Sequence, residues 1–192
     1  MTEIQQVPLD FNGFGVNAYV IHAPEADIIV DAGAEPEKIL AAVDRPVAAI
    51  LMTHNHADHI GALSDLRNET GAPVYMHPLD ADSAGIRDYE PLADGEDMVV
   101  AGQTLHVLHT PGHSPGSVTF VVGEDQVLGD LILPGSVGRT DLGGASWEDI
   151  EVSLRRVMPL WTESTRLFAG HGDVMSAMDE MKHNPYLPPV FS

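Results

Sequence analysis

The chain has 192 residues, no cysteine, 44% hydrophobic side chains and a formal charge of −20 from 29 acidic and 9 basic residues. Disulfides, thiolate metal sites and a cysteine nucleophile are thereby excluded. So acidic a field repels nucleic acid and anionic membranes, which leaves a small molecule as the expected partner, with a homo-oligomer an open alternative.

In chain order, the start MTEIQQVPLD lacks a basic segment followed by an apolar one, so a cytoplasmic location is expected. Strands are predicted at Val16–Ile21 and Asp27–Asp31, then a helix at Pro36–Val43 with Pro36 in the first helical position. A strand follows at Val47–Thr53. Its aliphatic run, Val47–Met52, is far shorter than the ~20 residues that cross a bilayer. Ile60, Leu63 and Leu66 recur at helical spacing and predict a helix over His59–Thr70. Short Val- and Ile-rich runs bounded by Gly, Pro or Asp predict strands at Val74–His77, Met98–Val100, Thr104–His109, Val118–Val122 and Gln126–Gly129. A helix is predicted at Trp147–Met158, opened by Ser146 with Asp149 three residues on and carrying the stripe Ile150, Leu154 and Val157; a last one is predicted at about Met175–His183. The elements fall into two blocks of strands followed by helices. That pattern predicts a single α/β (α+β) domain over residues 1–192, built as a four-layer αββα sandwich.

The stretch LMTHNHADHIGA (51–62) places His54, His56, Asp58 and His59 within six positions, in a tight turn between a buried strand and a helix. Strand ends are where loops present side chains on a rigid base. Imidazole and carboxylate are ligands for zinc, iron and manganese, and in a turn residues 54 and 56 can face one ion while 58 and 59 face another. A lone cluster cannot complete two coordination shells, and three further positions suit the task. His113 follows the turn-forming Pro111 and Gly112, Asp130 follows "VLG" at a strand end, and His171 is flanked by glycines that admit close backbone approach. His109 is expected to support through hydrogen bonds, His22, His77 and His106 to play ordinary surface or satisfied roles, Trp147 and Trp161 to lie in the core, and the methionines to pack.

THNHADHIGA, TPGHSPGS, GD and GHG, in this order and spacing from about Asn17 to His171, resemble the metallo-β-lactamase-fold metallohydrolases. The resemblance implies one metal ion on His54, His56 and His113, a second on Asp58, His59 and His171, and Asp130 bridging them, with the strand-end Asp31 bracing the metal loop. Two divalent cations are implied, zinc first, with iron or manganese also compatible. GSVGRTDLGG (135–144) and GHGDVMSAMDEMKHNPYL (170–187) resemble the short glyoxalase II-type branch, which hydrolyses thioesters such as S-lactoylglutathione. Asn55 stands where many members carry His, and only 21 residues follow His171, where full-length glyoxalase II enzymes have a helical glutathione-binding domain. Asp58 and Asp130 are the expected catalytic carboxylates, orienting a nucleophilic water and taking its proton. Arg139 is the expected substrate contact, with Lys182 beside His183 and Asn184 as a second. The motif GRTD (138–141) also resembles persulfide dioxygenases, which would use one iron on His54, His113 and Asp130. A lactonase or β-lactamase and a non-catalytic metal-binding module are the remaining alternatives.

Overall fold

In the strand Asp27–Val30 (β3), Ile28 and Val30 join one apolar cluster while Ile29 joins another. That is the two-residue period of a strand buried on both faces. The same division runs through the protein, described over residues 2–187 by a computed structural model. One six-stranded sheet runs in the order β1 (Glu3–Phe11), β2 (Phe14–His22), β3, β4 (Val47–Leu51), β5 (Val74–Met76) and β6 (Glu90–Pro91). It is antiparallel up to β3 and parallel beyond it. The second six-stranded sheet takes the chain-order strands β7 (Asp97–Val100), β8 (Gln103–His109), β9 (Val118–Val122), β10 (Asp125–Gly129), β13 (Arg166–Ala169) and β14 (Met175–Ser176) as neighbours in that sequence. A small hairpin, β11 (Ile132–Leu133) and β12 (Ser136–Val137), stands apart from both.

Three apolar clusters define the layers. Between the sheets, Tyr19, Ile21, Ile28, Val30 and Leu51 meet Leu105, Val107, Phe120, Val127 and Phe168. Outside the first sheet, Ile29, Ile50 and Met52 pack with Ile39 of α1 (Pro36–Ala41), Leu63 and Leu66 of α3 (Leu63–Thr70) and Ala81 of α4 (Pro78–Ala84). Outside the second, Leu128, Leu167 and Ala169 pack with Ile150, Leu154 and Val157 of α5 (Trp147–Val157) and Ala177 of α6 (Ala177–His183). Helix, sheet, sheet, helix is the four-layer order expected from the sequence. Among the described residues, no helix is long and apolar enough to cross a membrane.

Several elements depart from the sequence-based expectation. β1 was not predicted, because Pro8 interrupts its apolar pattern; it forms at the edge of its sheet, where proline is tolerated. The helix expected over His59–Thr70 is two: α2 (Ala57–Ile60) and α3. The amide of Ala62 donates to Ala32 O (2.8 Å), and Ala32 N donates to His59 O (2.8 Å), so a neighbouring loop takes the backbone groups that would have continued the helix. α4, not predicted, starts at Pro78 and ends at Ala84, capped by Gly85. The last helix begins only at Ala177, since Met175–Ser176 pairs with β13. Trp161 is buried as expected, whereas Trp147, first residue of α5, lies edge-on to Tyr186 and stays 37% exposed.

β3 begins with a buried carboxylate. Asp27 accepts hydrogen bonds from Asp44 N (2.7 Å) and Arg45 N (2.9 Å) and contacts His22 Nδ1 at 3.1 Å. Burial alone would raise its pKa, but these donors outweigh it and hold the group below the ordinary carboxylate range. The resulting stability is present above the unfolded-state pKa of about 4 and is lost as pH falls through the lower folded-state value. Asp27→Asn is therefore expected to cost about 1–3 kcal/mol at pH 7. In urea titrations from pH 7 to 3 the difference from the parent should shrink; a difference that stays constant would contradict this origin.

Candidate metal centre

The carboxyl ends of β3, β4, β8, β10 and β13 share one edge of the sandwich, because β3 and β4 are parallel, β10 and β13 are parallel, and β8 is antiparallel to β9, itself antiparallel to β10. Loops leaving these ends carry Asp31, residues 54–59, His113, Asp130 and His171. Backbone bonds from Val118 N to Thr53 O (2.9 Å), Gly170 N to Gly129 O (2.8 Å) and Asn17 N to Gly170 O (2.7 Å) lock the loops together. Ligand sites form in this position because side chains there converge on a rigid support.

Seven predicted residues come together. Potential ligand atoms of His54, His56 and His113 lie within 4.8 Å of one another, as do those of Asp58, His59 and His171. Asp130 stands between the groups: its Oδ2 is 3.3 Å from His113 Nε2 and 3.3 Å from His171 Nε2, and its Oδ1 is 3.5 Å from His59 Nε2. His171 Nε2 is also 3.4 Å from Asp58 Oδ2.

The surrounding hydrogen bonds decide which ring nitrogens are free. Thr53 Oγ1 donates to Asp31 Oδ2 (2.7 Å), so it accepts from His54 Nδ1 at 3.0 Å and leaves His54 Nε2 as a lone pair. His59 Nδ1 donates to Asp31 Oδ2 (2.8 Å), His113 Nδ1 to Arg139 O (2.9 Å) and His171 Nδ1 to Gly15 O (2.6 Å). Each of these rings thus turns its Nε2 inward, the orientation that outer partners impose on metal-binding histidines. His56 instead presents Nδ1, 2.7 Å from His113 Nε2. Asp31, whose Oδ1 accepts from Thr53 N (2.8 Å), is held in the left-handed region at φ 62°, a conformation that non-glycine residues keep only where surroundings enforce it.

The donor set fits a pair of divalent cations. His54 Nε2, His59 Nε2 and Asp130 Oδ1 are buried with no hydrogen-bond partner among the described residues, and buried polar atoms are rarely left so. Nitrogen and carboxylate donors in this number match zinc, iron or manganese. The electrostatics agree in sign. Burial, then the other imidazoles, push His54 well below the ordinary histidine range, which keeps it neutral. Burial would raise Asp130, but His59, His171 and the other histidines outweigh it and hold the carboxylate ionised. Hydrogen bonds to Asp130 and Asp58 push His171 up to about 11, so the carboxylates make a field that favours positive charge where Asp58, His59 and His171 meet.

A cleft of about 530 Å³ opens over the cluster, lined by the polar His56, Asp58, Asp130 and His171 and by the apolar Leu133, Val137 and Leu142. Arg139 also lines it, with its guanidinium paired to Asp141 through Nε–Oδ1 (2.6 Å) and Nη2–Oδ2 (2.8 Å). Lys182 is exposed on α6 and is not among the residues that line the cleft. His109 bonds Pro115 O through Nε2 (2.8 Å) and stacks on His77 at 4.2 Å, so it supports the loop of His113 rather than joining the cluster. Sequence reasoning missed Asn17 and Tyr19. Asn17 Nδ2 donates to Ala169 O (3.0 Å) and Gly172 O (2.8 Å), and Tyr19 Oη to Ala169 O (2.5 Å), which fixes the His171 loop. It missed Asp80 as well, a wholly buried side chain on a helix that was not foreseen.

Residues 11–171 match the family model described as the metallo-beta-lactamase superfamily. A probable metallo-hydrolase, YqgX, of Bacillus subtilis is 34% identical over 89% of this chain and 92% of its own. The hydroxyacylglutathione hydrolase GloC of Haemophilus influenzae is 28% identical over 83% of this chain and 86% of its own. Among solved structures, TTHA1623 in a di-iron-bound form superposes with a TM-score of 0.81 at 37% identity, covering 94% of this chain and 99% of that one.

Proposed function

The chain belongs to the metallo-beta-lactamase superfamily, and from that premise we propose that it is a binuclear metallohydrolase that cleaves thioesters of the S-lactoylglutathione type. The observation that carries this reading is the convergence of seven ligand residues in two groups about Asp130, with three buried donor atoms unpartnered. His54, His56 and His113 would hold one ion, Asp58, His59 and His171 the other, and Asp130 both. When bound, such ions would supply Lewis acidity and lower the pKa of a bound water toward about 7.

The protein's own groups do the rest. Asp58 lines the cleft, and its carboxyl lies below the ordinary range because His171 hydrogen-bonds it, so at neutral pH it is an ionised acceptor placed to orient a water and take its proton. Leu133, Val137 and Leu142 give the acyl and thiol arms an apolar wall and exclude water from it. Arg139 stands ready to meet a carboxylate of the substrate if that group displaces Asp141. A thiol leaves with a pKa of only about 8.5, so cleavage makes little demand for a general acid. GloC supports the acyl-glutathione substrate, YqgX supports hydrolysis, and TTHA1623 supports two ions with iron as a candidate beside zinc.

A panel of S-lactoylglutathione, a lactone, a β-lactam and glutathione persulfide, run with metal quantification, tests the proposal. Thiol release from the thioester is expected, abolished by chelation and restored by added zinc or iron. One iron per chain with oxygen uptake on the persulfide would replace the hydrolase reading with a dioxygenase.

A further inference from the structure

Asp80 contributes nothing to the cluster of ligand atoms, yet it joins the two loops that carry His54, His56 and His113. Its Oδ2 accepts from Asn55 N (3.0 Å) and from Ser114 Oγ (2.6 Å), and its Oδ1 from Gly116 N (2.6 Å). Its carbonyl accepts from Asn55 Nδ2 (3.2 Å). Asn55 lies between His54 and His56, and Ser114 follows His113, so one wholly buried carboxylate spans the three histidines of a single group. Close approach is built in: a Cβ on Gly116 would fall 2.6 Å from Asp80 Oδ1 and 2.7 Å from its Cγ. The opposite group is braced differently, by Asp31 on His59 and by Gly15 O on His171.

We propose that Asp80 is a positioning residue that sets the spacing of His54, His56 and His113 and so the affinity of the ion they hold, selectively over its neighbour. The proposal rests on the two-ion reading above. An isosteric amide cannot take its place: whichever way it turns, its NH₂ faces a backbone N–H, of Asn55 or of Gly116, and leaves that donor unpaired. Partners one step removed from a metal govern its affinity, typically by about 10–100-fold.

Zinc-binding isotherms of the full chain at buffered free zinc provide the test, with His56→Ala and His171→Ala assigning the two steps. Asp80→Asn is expected to weaken by about 10–100-fold the step that His56→Ala removes, and to leave the other within about twofold. Gly116→Ala should do the same. Asp27→Asn, a buried carboxylate far from both loops in the hydrogen-bond network, should leave both steps unchanged although it destabilises the protein. Equal weakening of both steps, no change in either, or loss of the His171 step would overturn the proposal. A parent chain that binds one ion would instead refute the two-ion reading. The role of Asp80 is then decided on that ion, and an unchanged affinity in Asp80→Asn rejects it.

Discussion

Asp130→Ala is expected to lower kcat for thioester hydrolysis by about 10³-fold or more, since loss of even one preorganised charge-stabilising group is worth about 10²–10³. Asp130 does more than one such group. Its oxygens reach His113, His171 and His59 across both halves of the site, and Oδ1 is buried with no hydrogen-bond partner among the described residues. The depressed pKa means that the carboxylate is ionised throughout the working pH range, so its full charge is lost in the variant. The drop should come in kcat together with bound metal, measured on the same preparation. The fold should survive, because deletion of a buried charge that sits among imidazoles leaves the three apolar clusters intact. A variant that keeps both its metal content and its rate would show that Asp130 is not the shared group.

Gly170→Ala is expected to be almost as damaging through a single methyl. The added Cβ would lie 2.1 Å from Asp130 Oδ1 and 2.6 Å from His59 Cε1, far inside van der Waals contact. Gly170 cannot retreat, because its amide donates to Gly129 O (2.8 Å) and its carbonyl accepts from Asn17 N (2.7 Å). The carboxylate and the imidazole must therefore move, and a displacement of about 1 Å at a reacting centre costs on the order of 10²-fold in rate. Gly143→Ala, in the cleft-side loop but with nothing within 4 Å of its Cβ, serves as the comparison and should stay within about twofold of the parent. Steady-state assays on both variants, with circular dichroism to show that each is folded, check the contrast.

What could be read from the sequence follows from where the chemistry is local. Four ligand-type side chains in six positions after an apolar strand announce a metal loop without reference to the rest of the chain. His113 and Asp130 were legible because each follows a predicted strand, and His171 because glycines flank it; β13, the strand that delivers His171 to the same edge, was not predicted. The sandwich itself was legible in the apolar pattern of β2, β3, β4, β8, β9 and β10. What escaped was either long-range or disguised. Asp80 meets Asn55 and Ser114 across 25 and 34 residues, and on its own it reads as one more acid in an acidic stretch. Asn17 and Tyr19 act on a loop 150 or more residues away. β1 was disguised by Pro8, and the break between α2 and α3 is dictated by Ala32, a backbone partner that no helical periodicity reveals. Lys182 was placed near the cleft by likeness alone; it is exposed on α6 and does not line the cleft.

Diffraction from crystals of the metal-loaded protein, recorded at the absorption edge of the bound element, tests the proposed two-ion centre most directly. Two anomalous peaks are expected, one among His54, His56 and His113 and one among Asp58, His59 and His171, both within coordinating reach of Asp130. A single peak, or density away from these seven side chains, would contradict it.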